Sequence, residues 1–172
     1  MSFPILQTKL NRPPVAKDHL HRQHLLDWLD QRRERPLTLV SAPAGYGKST
    51  LVSCWLESCD CPSAWVSLDE RDSGLQPFLA QFLAAIETMF PRAVSETKTP
   101  QKAIDLPPLS TLTDTLIDEL NEIDKDFILM LDDYHMIRGK GVHNPIVELL
   151  IHPPEAIHLV VVSRRDPMPF QG

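Results

Sequence analysis

The fold of this chain is decided by Leu37-Thr38-Leu39-Val40-Ser41-Ala42-Pro43-Ala44-Gly45-Tyr46-Gly47-Lys48-Ser49-Thr50. Its first four residues are apolar or β-branched and predict a strand that ends at Ser41. A turn with two glycines follows, and Lys48 opens a segment with the apolar spacing of a helix. Such a turn and helix start direct several backbone N–H groups at one anion, where the helix dipole adds about half a positive charge. The stretch therefore predicts a phosphate-binding loop.

Each position of this loop suggests a role in holding a nucleotide. Lys48 supplies a mobile positive charge for the β- and γ-phosphates, and the Ser49 hydroxyl is placed to ligate Mg²⁺. The strict pattern begins with glycine, where this chain has Ala42, which cannot readily adopt the positive φ angles open to glycine. Many such loops carry alanine there, so we count this as a small departure. The candidate cofactor-binding residues are Ala44, Gly45, Tyr46, Gly47, Lys48, Ser49 and Thr50.

An ordinary strand–turn–helix connection without a ligand is the alternative for this stretch, and the rest of the chain decides between the two. With 172 residues, 42% of them hydrophobic, the chain is long enough for one α/β domain with a substantial core. The formal net charge of −6 argues against duplex nucleic-acid binding by this segment alone. We interpret the basic run Arg32-Arg33-Glu34-Arg35 as a solvated helix end.

The cysteines and histidines suggest no metal site at the level of sequence. The three cysteines lack C-x-x-C pairs, and no cysteine or carboxylate cluster accompanies the histidines in the sequence, so we expect surface or packing roles for His19, His21 and His24. The chain has no N-terminal apolar leader and no run of membrane-spanning length. We therefore expect a cytoplasmic protein with no membrane partner.

Apolar runs alternate with helical periodicity along the chain. We predict strands at residues 37–41, 64–68, 127–131 and 157–162, and helices at 19–31, 48–58, 75–90, from Thr111 through 123, and from Asn144-Pro145 to 151. Residues 5–15 are predicted to be extended, and the proline-bearing residues 92–108 to be a loop or mobile linker. This alternation predicts an α/β fold, with a parallel sheet covered on both faces.

Polar residues follow the third and fourth predicted strands. Asp132 and Asp133 come directly after the third, an arrangement in which Asp132 would hold Mg²⁺ and Asp133 would polarise an attacking water. Considered apart from the phosphate loop, Asp132 and Asp133 could equally be residues of a turn or a helix cap. Arg164 follows the fourth strand, which is expected to lie beside the loop strand and to bring its guanidinium near the γ-phosphate. Arg165 is the alternative for that role, or a solvated side chain.

These motifs together resemble a known family. The phosphate loop, Trp65-Val66-Ser67-Leu68-Asp69-Glu70, Leu131-Asp132-Asp133-Tyr134-His135 and Ser163-Arg164-Arg165-Asp166-Pro167 resemble the ATPase module of MalT-like transcriptional activators. These are large LuxR-type regulators in the STAND class of P-loop ATPases. The opening residues 8–14 and Arg22-x-x-Leu25-Leu26 are also similar to that family's first segment. The likeness spans nearly the whole chain.

The resemblance implies a P-loop NTPase of three α/β/α layers with a mostly parallel sheet, here lacking its last strand. Residues 1–35 would form an N-terminal arm and helix near the nucleotide base, with Arg22 among the base contacts, and residues 36–172 the P-loop core. The implied cofactors are ATP or ADP and Mg²⁺. In the family, ATP and an inducer favour a self-associating active form, which hydrolysis resets. The sensor and DNA-binding domains of such regulators are absent here, so we expect a fragment of a longer protein.

Two other functions remain open from the sequence. A stand-alone P-loop enzyme, such as a small-molecule kinase, would need an acceptor pocket and a mobile lid, for which residues 92–108 are the candidate. A non-catalytic interaction domain could keep the fold without the nucleotide. Against the latter, Lys48, Ser49 and Asp132 are all present.

Overall fold

Four parallel strands form the central sheet of the computed structural model, which describes residues 3–101 and 103–165. The strands are β1 (Leu37–Ser41), β2 (Ser63–Ser67), β3 (Phe127–Asp132) and β4 (Ile157–Ser163), in the spatial order β1-β4-β3-β2. The helices are α1 (Gln23–Asp30), α2 (Lys48–Ser58), α3 (Leu75–Met89), α4 (Ser95–Gln101), α5 (Leu109–Asn121) and α6 (Lys140–Ile151). The predicted α/β class and the parallel sheet are confirmed.

Alternate residues of each strand enter two separate cores, because successive side chains of a strand point to opposite faces. Leu129 and Leu131 of β3 belong to a large core with residues of α3, α5 and α6. Ile128 and Met130 of the same strand pack in a smaller core with residues of α1 and α2. The predicted three-layer architecture is confirmed, with both faces of the sheet covered by helices.

The register of the sheet brings the carboxyl ends of the strands to one edge. Ser41 at the end of β1 pairs with Ser163 at the end of β4, and Ser67 of β2 pairs with Asp132 of β3. The expectation that the fourth strand lies beside the phosphate-loop strand is therefore confirmed. In open parallel sheets this edge is where ligands bind. Among the helices in the described part of the chain, none combines the length and the apolar character needed to span a bilayer.

The prediction of a loop or mobile linker over residues 92–108 is wrong for its central part, where α4 forms. The Glu119 carboxylate of α5 accepts hydrogen bonds from the backbone N–H of Glu96 at 2.6 Å and of Thr97 at 3.0 Å. These N–H groups have no partner within a helix, and a carboxylate also complements the helix dipole. The cap comes from a residue more than twenty positions away, so the local sequence could not reveal it.

Three helix starts also differ from prediction. Helix α1 begins at Gln23 rather than at residue 19. The Thr111–Asp114 capping box does not form, since α5 begins at Leu109 with Pro108 at the N-cap. Helix α6 begins at Lys140, so Pro145 lies inside it rather than at its first position. Gly139 at the N-cap of α6 sits so close to Ser73 that an added Cβ would lie 2.0 Å from the Ser73 carbonyl oxygen. The close approach of these two backbones leaves no room for a side chain at position 139.

The N-terminal residues are tied to the sheet by a buried lysine. A 3-10 turn over Gln7–Leu10 interrupts the stretch that we predicted to be extended, and Lys9 in that turn is buried. Its Nζ lies 2.6 Å from Asp72 Oδ2 and 3.0 Å from Asp69 Oδ2. The two aspartates belong to a capping box after β2, which joins the arm to the carboxyl edge of the sheet.

His158 is a buried titratable residue at the start of β4. Its Nδ1 faces the Arg35 carbonyl, and its Nε2 lies 3.1 Å from Thr38 Oγ1 of β1. Burial lowers the pKa of His158 below its usual value. The neutral ring donates from Nδ1 to the Arg35 carbonyl and accepts at Nε2 from Thr38, so it joins β4 to β1 as an uncharged group.

The free energy of unfolding is expected to fall as the pH is lowered from 7.5 to 5.5. Because the pKa of His158 is lowered in the folded state, the unfolded chain binds more protons below its own histidine pKa of about 6.5. Each kcal/mol lost lowers the melting temperature by about 2–4 °C. Melting curves at both pH values should show a smaller pH effect in His158→Gln than in the parent. An equal pH effect in His158→Gln and in the exposed control His152→Gln would contradict this role.

Candidate functional site

The loop between β1 and α2 has the backbone shape that an anion cradle needs. Gly45 and Gly47 adopt positive φ angles of 88° and 71°, which are accessible to glycine at little cost. Gly47 is also the N-cap of α2, so the helix N-terminus faces this loop. Ala42 is not among the described residues with positive φ, so alanine fits the place where the strict motif has glycine.

Lys48 lies over the loop that precedes it. Its Nζ donates a 3.0 Å hydrogen bond to the Pro43 carbonyl. The neighbouring residues Ala44, Tyr46 and Thr50 are exposed, and Tyr46 is 64% accessible. The ammonium group is thus held near the loop by one neutral acceptor in an exposed position, from which it can turn towards an anion.

Ser49 and Asp132 are 83 positions apart in the sequence and meet in the structure. The Ser49 hydroxyl donates to Asp132 Oδ1 at 2.9 Å, linking the first turn of α2 to the end of β3. Asp132 is 6% exposed, and burial together with the neighbouring Asp133 raises its pKa. A hydroxyl and a carboxylate in contact form the all-oxygen donor set that Mg²⁺ prefers. These two residues could hold that ion.

Asp133 is in a strained backbone conformation at the same edge. Its φ of 56° and ψ of 37° lie in the left-handed region, which costs energy for a residue with a side chain. Its N–H donates to Asp132 Oδ1 at 2.9 Å, and its own carboxylate is half exposed. The conformation turns the chain so that Asp132 is buried while Asp133 faces the open edge.

His135 connects the ends of β3 and β4, a role that the sequence did not reveal. The Arg164 N–H donates to His135 Nδ1 at 3.2 Å, and His135 Nε2 lies 4.0 Å from Asp133 Oδ1. Burial, followed by the positive charge of Arg164, lowers the pKa of His135, although Asp133 acts in the opposite direction. The only sequence signal was its place in the Asp-Asp-Tyr-His block. Arg164 is exposed beside it, whereas Asp166 and Pro167 lie outside the described residues.

Arg22 reaches the phosphate loop from the N-terminal arm. Its Nη2 donates to the Gly47 carbonyl at 3.0 Å, and a Cβ added to Gly47 would lie 2.7 Å from that nitrogen. Beside it, a cavity of about 270 Å³ opens between α1, β1 and the loop, with Leu25, Trp28, Tyr46 and Lys48 in its wall. A larger cavity of about 790 Å³ lies at the opposite end of the sheet, near Asp126 and His158, and includes none of the loop residues.

The chain is similar in sequence to known transcriptional regulators. No model of a known protein family matches the chain. The HTH-type transcriptional regulator MalT of Yersinia pestis is 32% identical over 163 residues, which cover 95% of this chain and 18% of the regulator. MalT of Yersinia enterocolitica is 33% identical over 163 residues, which likewise cover 95% of this chain and 18% of that regulator. The chain thus spans about a fifth of the length of these relatives.

A solved structure supports the fold alone, because sequence identity to it is low. Cdc6p from Pyrobaculum aerophilum superposes with a TM-score of 0.56 and 16% identity, covering 94% of this chain and 44% of that one. With the glycine loop after β1 and the carboxylate after β3, this likeness shows that the sheet and its helices have an α/β P-loop fold.

Proposed function

Because the chain is homologous to the N-terminal part of the HTH-type transcriptional regulator MalT, we propose that it is the nucleotide-binding switch module of a signal-responsive transcriptional regulator. The observation that carries this proposal is the 2.9 Å hydrogen bond between Ser49 of the phosphate loop and Asp132 after β3. The two residues that would hold Mg²⁺ beside a bound nucleotide are thereby adjacent, although they are 83 positions apart in the sequence.

Within this module, the backbone of Ala44, Gly45, Tyr46 and Gly47 would surround the phosphates of ATP or ADP, together with Thr50 at the start of α2. Lys48 would leave the Pro43 carbonyl and contact the β- and γ-phosphates. Ser49 and Asp132 would ligate Mg²⁺, which when bound neutralises phosphate charge. Arg22 and the apolar wall of the adjoining cavity would contact the base.

Slow hydrolysis of ATP would be the resetting step of the switch. The Asp133 carboxylate is half exposed at the loop edge and would orient and polarise the attacking water. Arg164 follows β4, which pairs with β1, and its guanidinium would stabilise charge developing on the terminal phosphate. His135, held between them, would fix the spacing of these two residues.

The other proposed partners, an inducer and DNA, would bind to parts of the regulator other than this module. Residues 1–35 would serve as the arm near the base and residues 36–172 as the P-loop core, while an inducer and DNA would bind elsewhere in a longer protein. Self-association in the ATP state would transmit the switch. We place the protein in the cytoplasm, since Cys54, Cys59 and Cys61 are free thiols and the relatives regulate transcription.

A small-molecule kinase has less support from the structure. A kinase would need residues 92–108 as a mobile lid. In the structure this segment contains α4, whose N-terminus is capped by Glu119 and whose Lys98 forms an ion pair with Glu87, so the segment is held in place. A kinase would consume ATP only when an acceptor is supplied, whereas the proposed switch would hydrolyse ATP slowly without one.

Asp132→Asn is expected to remove most of the effect of Mg²⁺ on ATP affinity. The amide keeps the size of the side chain and can accept from Ser49, but it loses the charge that attracts the cation. Charged hydrogen-bonding partners contribute about 1.5–3 kcal/mol, which corresponds to about 10–100-fold in affinity. Calorimetric titrations with ATP, in Mg²⁺ or in EDTA, should show this loss.

The matched control is Asp126→Asn, an exposed carboxylate at the opposite end of the sheet. It should keep the full Mg²⁺ effect. If Asp132→Asn were to show the same Mg²⁺ enhancement as this control, Asp132 would not be the metal ligand.

A further inference from the structure

His19, His21 and Cys54 form a cluster of metal-binding side chains separate from the phosphate loop. One ligand atom from each residue lies within 4.8 Å of the other two. The sequence favoured surface or packing roles for these histidines because no cysteine stands near them in the chain. The fold corrects that premise: it carries Cys54 of α2 to within 3.3 Å of His19, measured from Sγ to Nε2.

The separations suit a small tetrahedral ion. Zinc binds imidazole nitrogen at about 2.0–2.1 Å and thiolate sulfur at about 2.3 Å, which places tetrahedral N and S ligands about 3.6 Å apart. The 3.3 Å between Cys54 Sγ and His19 Nε2 is close to that value. The two imidazole rings have centroids 4.8 Å apart and are tilted by 49°, so both can face one point.

The His19 ring is oriented as a metal-ligating histidine usually is. Its Nδ1 lies 2.7 Å from the Ala16 carbonyl oxygen, so the Nδ1–H donates there and the Nε2 lone pair points to Cys54. Metal-bound histidines commonly donate their second N–H to a carbonyl or carboxylate in this way, which fixes the tautomer. A backbone hydrogen bond of 3.2 Å from His19 to Ala16 closes the same turn.

The arm that carries the histidines is held against α2 on both sides of the cluster. Arg12 Nη1 donates to the Ser53 carbonyl at 2.6 Å, and the Ser53 hydroxyl donates to the Pro13 carbonyl at 2.6 Å. Further along, Arg22 donates to the Gly47 carbonyl. The contact between His19 and Cys54 lies between these two attachments, so much of the ordering that a metal site requires is already present.

We propose that His19, His21 and Cys54 bind one Zn²⁺ ion, with water as the fourth ligand. A thiolate and two imidazoles favour Zn²⁺ over Mg²⁺, because Mg²⁺ prefers oxygen ligands. On binding, the Cys54 thiol releases one proton to solvent and its sulfur bonds the metal. The ion would cross-link the N-terminal arm to α2, the helix that begins with Lys48 and Ser49. This site does not depend on the proposed nucleotide function.

Cobalt titration of tag-free, reduced protein tests the site directly, because Co²⁺ replaces Zn²⁺ and reports its ligands. We expect one Co²⁺ per chain, a thiolate-to-cobalt band in the near ultraviolet, visible bands of a tetrahedral site, and displacement by Zn²⁺. Zinc at about 100 times its Kd should raise the melting temperature by about 5–10 °C.

Two variants should lose these signals, and two matched controls should keep them. Cys54→Ser and His21→Ala are expected to weaken Co²⁺ binding by at least about 10-fold, a loss that outer-shell changes alone can produce. His21 is exposed, so its replacement leaves the core intact. His24→Ala and Cys61→Ser should bind like the parent. The proposal is overturned if the parent shows no thiolate band, if Cys54→Ser keeps it, or if His24→Ala weakens binding as much as His21→Ala.

Discussion

Lys48→Ala is expected to weaken ATP binding by about 100- to 10,000-fold while leaving the chain folded. Two hydrogen bonds from a charged donor to phosphates contribute about 1.5–3 kcal/mol each, and every 1.4 kcal/mol is tenfold in affinity. Alanine is compatible with the start of α2. Among the described hydrogen bonds of the Lys48 side chain, the substitution removes the exposed bond to the Pro43 carbonyl. Calorimetry with ATP and Mg²⁺ measures the change.

Lys125→Ala is the matched control for this variant. Lys125 is exposed just before β3, at the other end of the sheet, and its removal changes the net charge by the same amount. ATP affinity should stay at the parental value in Lys125→Ala. Unchanged affinity in Lys48→Ala, with a melting temperature equal to that of the parent, would rule out the phosphate-loop assignment.

Lys9→Ala is expected to destabilise the fold by about 3–5 kcal/mol, the usual cost of leaving one partner of a buried ion pair without the other. Asp72 is 2% exposed and would keep a carboxylate without its cation. Although burial alone would raise the pKa of Asp69, the hydrogen bonds from Lys9 and from the Arg71 N–H lower it. The melting temperature should fall by about 6–20 °C.

Two comparisons separate the charge of Lys9 from its packing. Lys9→Met keeps the aliphatic length but should still cost most of the stability that Lys9→Ala costs, since the buried Asp72 carboxylate loses its cation. Lys17→Ala, an exposed lysine of the same arm, should melt within about 2 °C of the parent, as most surface substitutions do. If Lys9→Ala melted like Lys17→Ala, the ion pair would contribute nothing to the attachment of the arm.

Much of the geometry of the candidate site could be predicted, because the residues that form it stand in short segments of the sequence. The phosphate loop is one continuous strand–turn–helix, and its glycines stand where positive φ angles occur. Asp132 and Asp133 directly follow an apolar strand, so their place at the carboxyl edge followed from the α/β pattern. Their proposed roles in binding and hydrolysis stay predictions. The role of His135 was missed because its hydrogen bond with Arg164 joins two residues that are 29 positions apart and follow different strands.

The sequence by itself determined the four strands, the parallel α/β class and the phosphate loop, because apolar periodicity and turn chemistry act over a few neighbouring residues. Only the tertiary structure decided features that need partners from distant segments. The N-terminus of α4 is capped by Glu119 of α5, Gly139 before α6 packs against the Ser73 carbonyl, and Cys54 meets His19 only when the arm packs on α2. In each case a carboxylate, a carbonyl or a thiol is supplied by another element, and local patterns carry no information about which groups packing brings together.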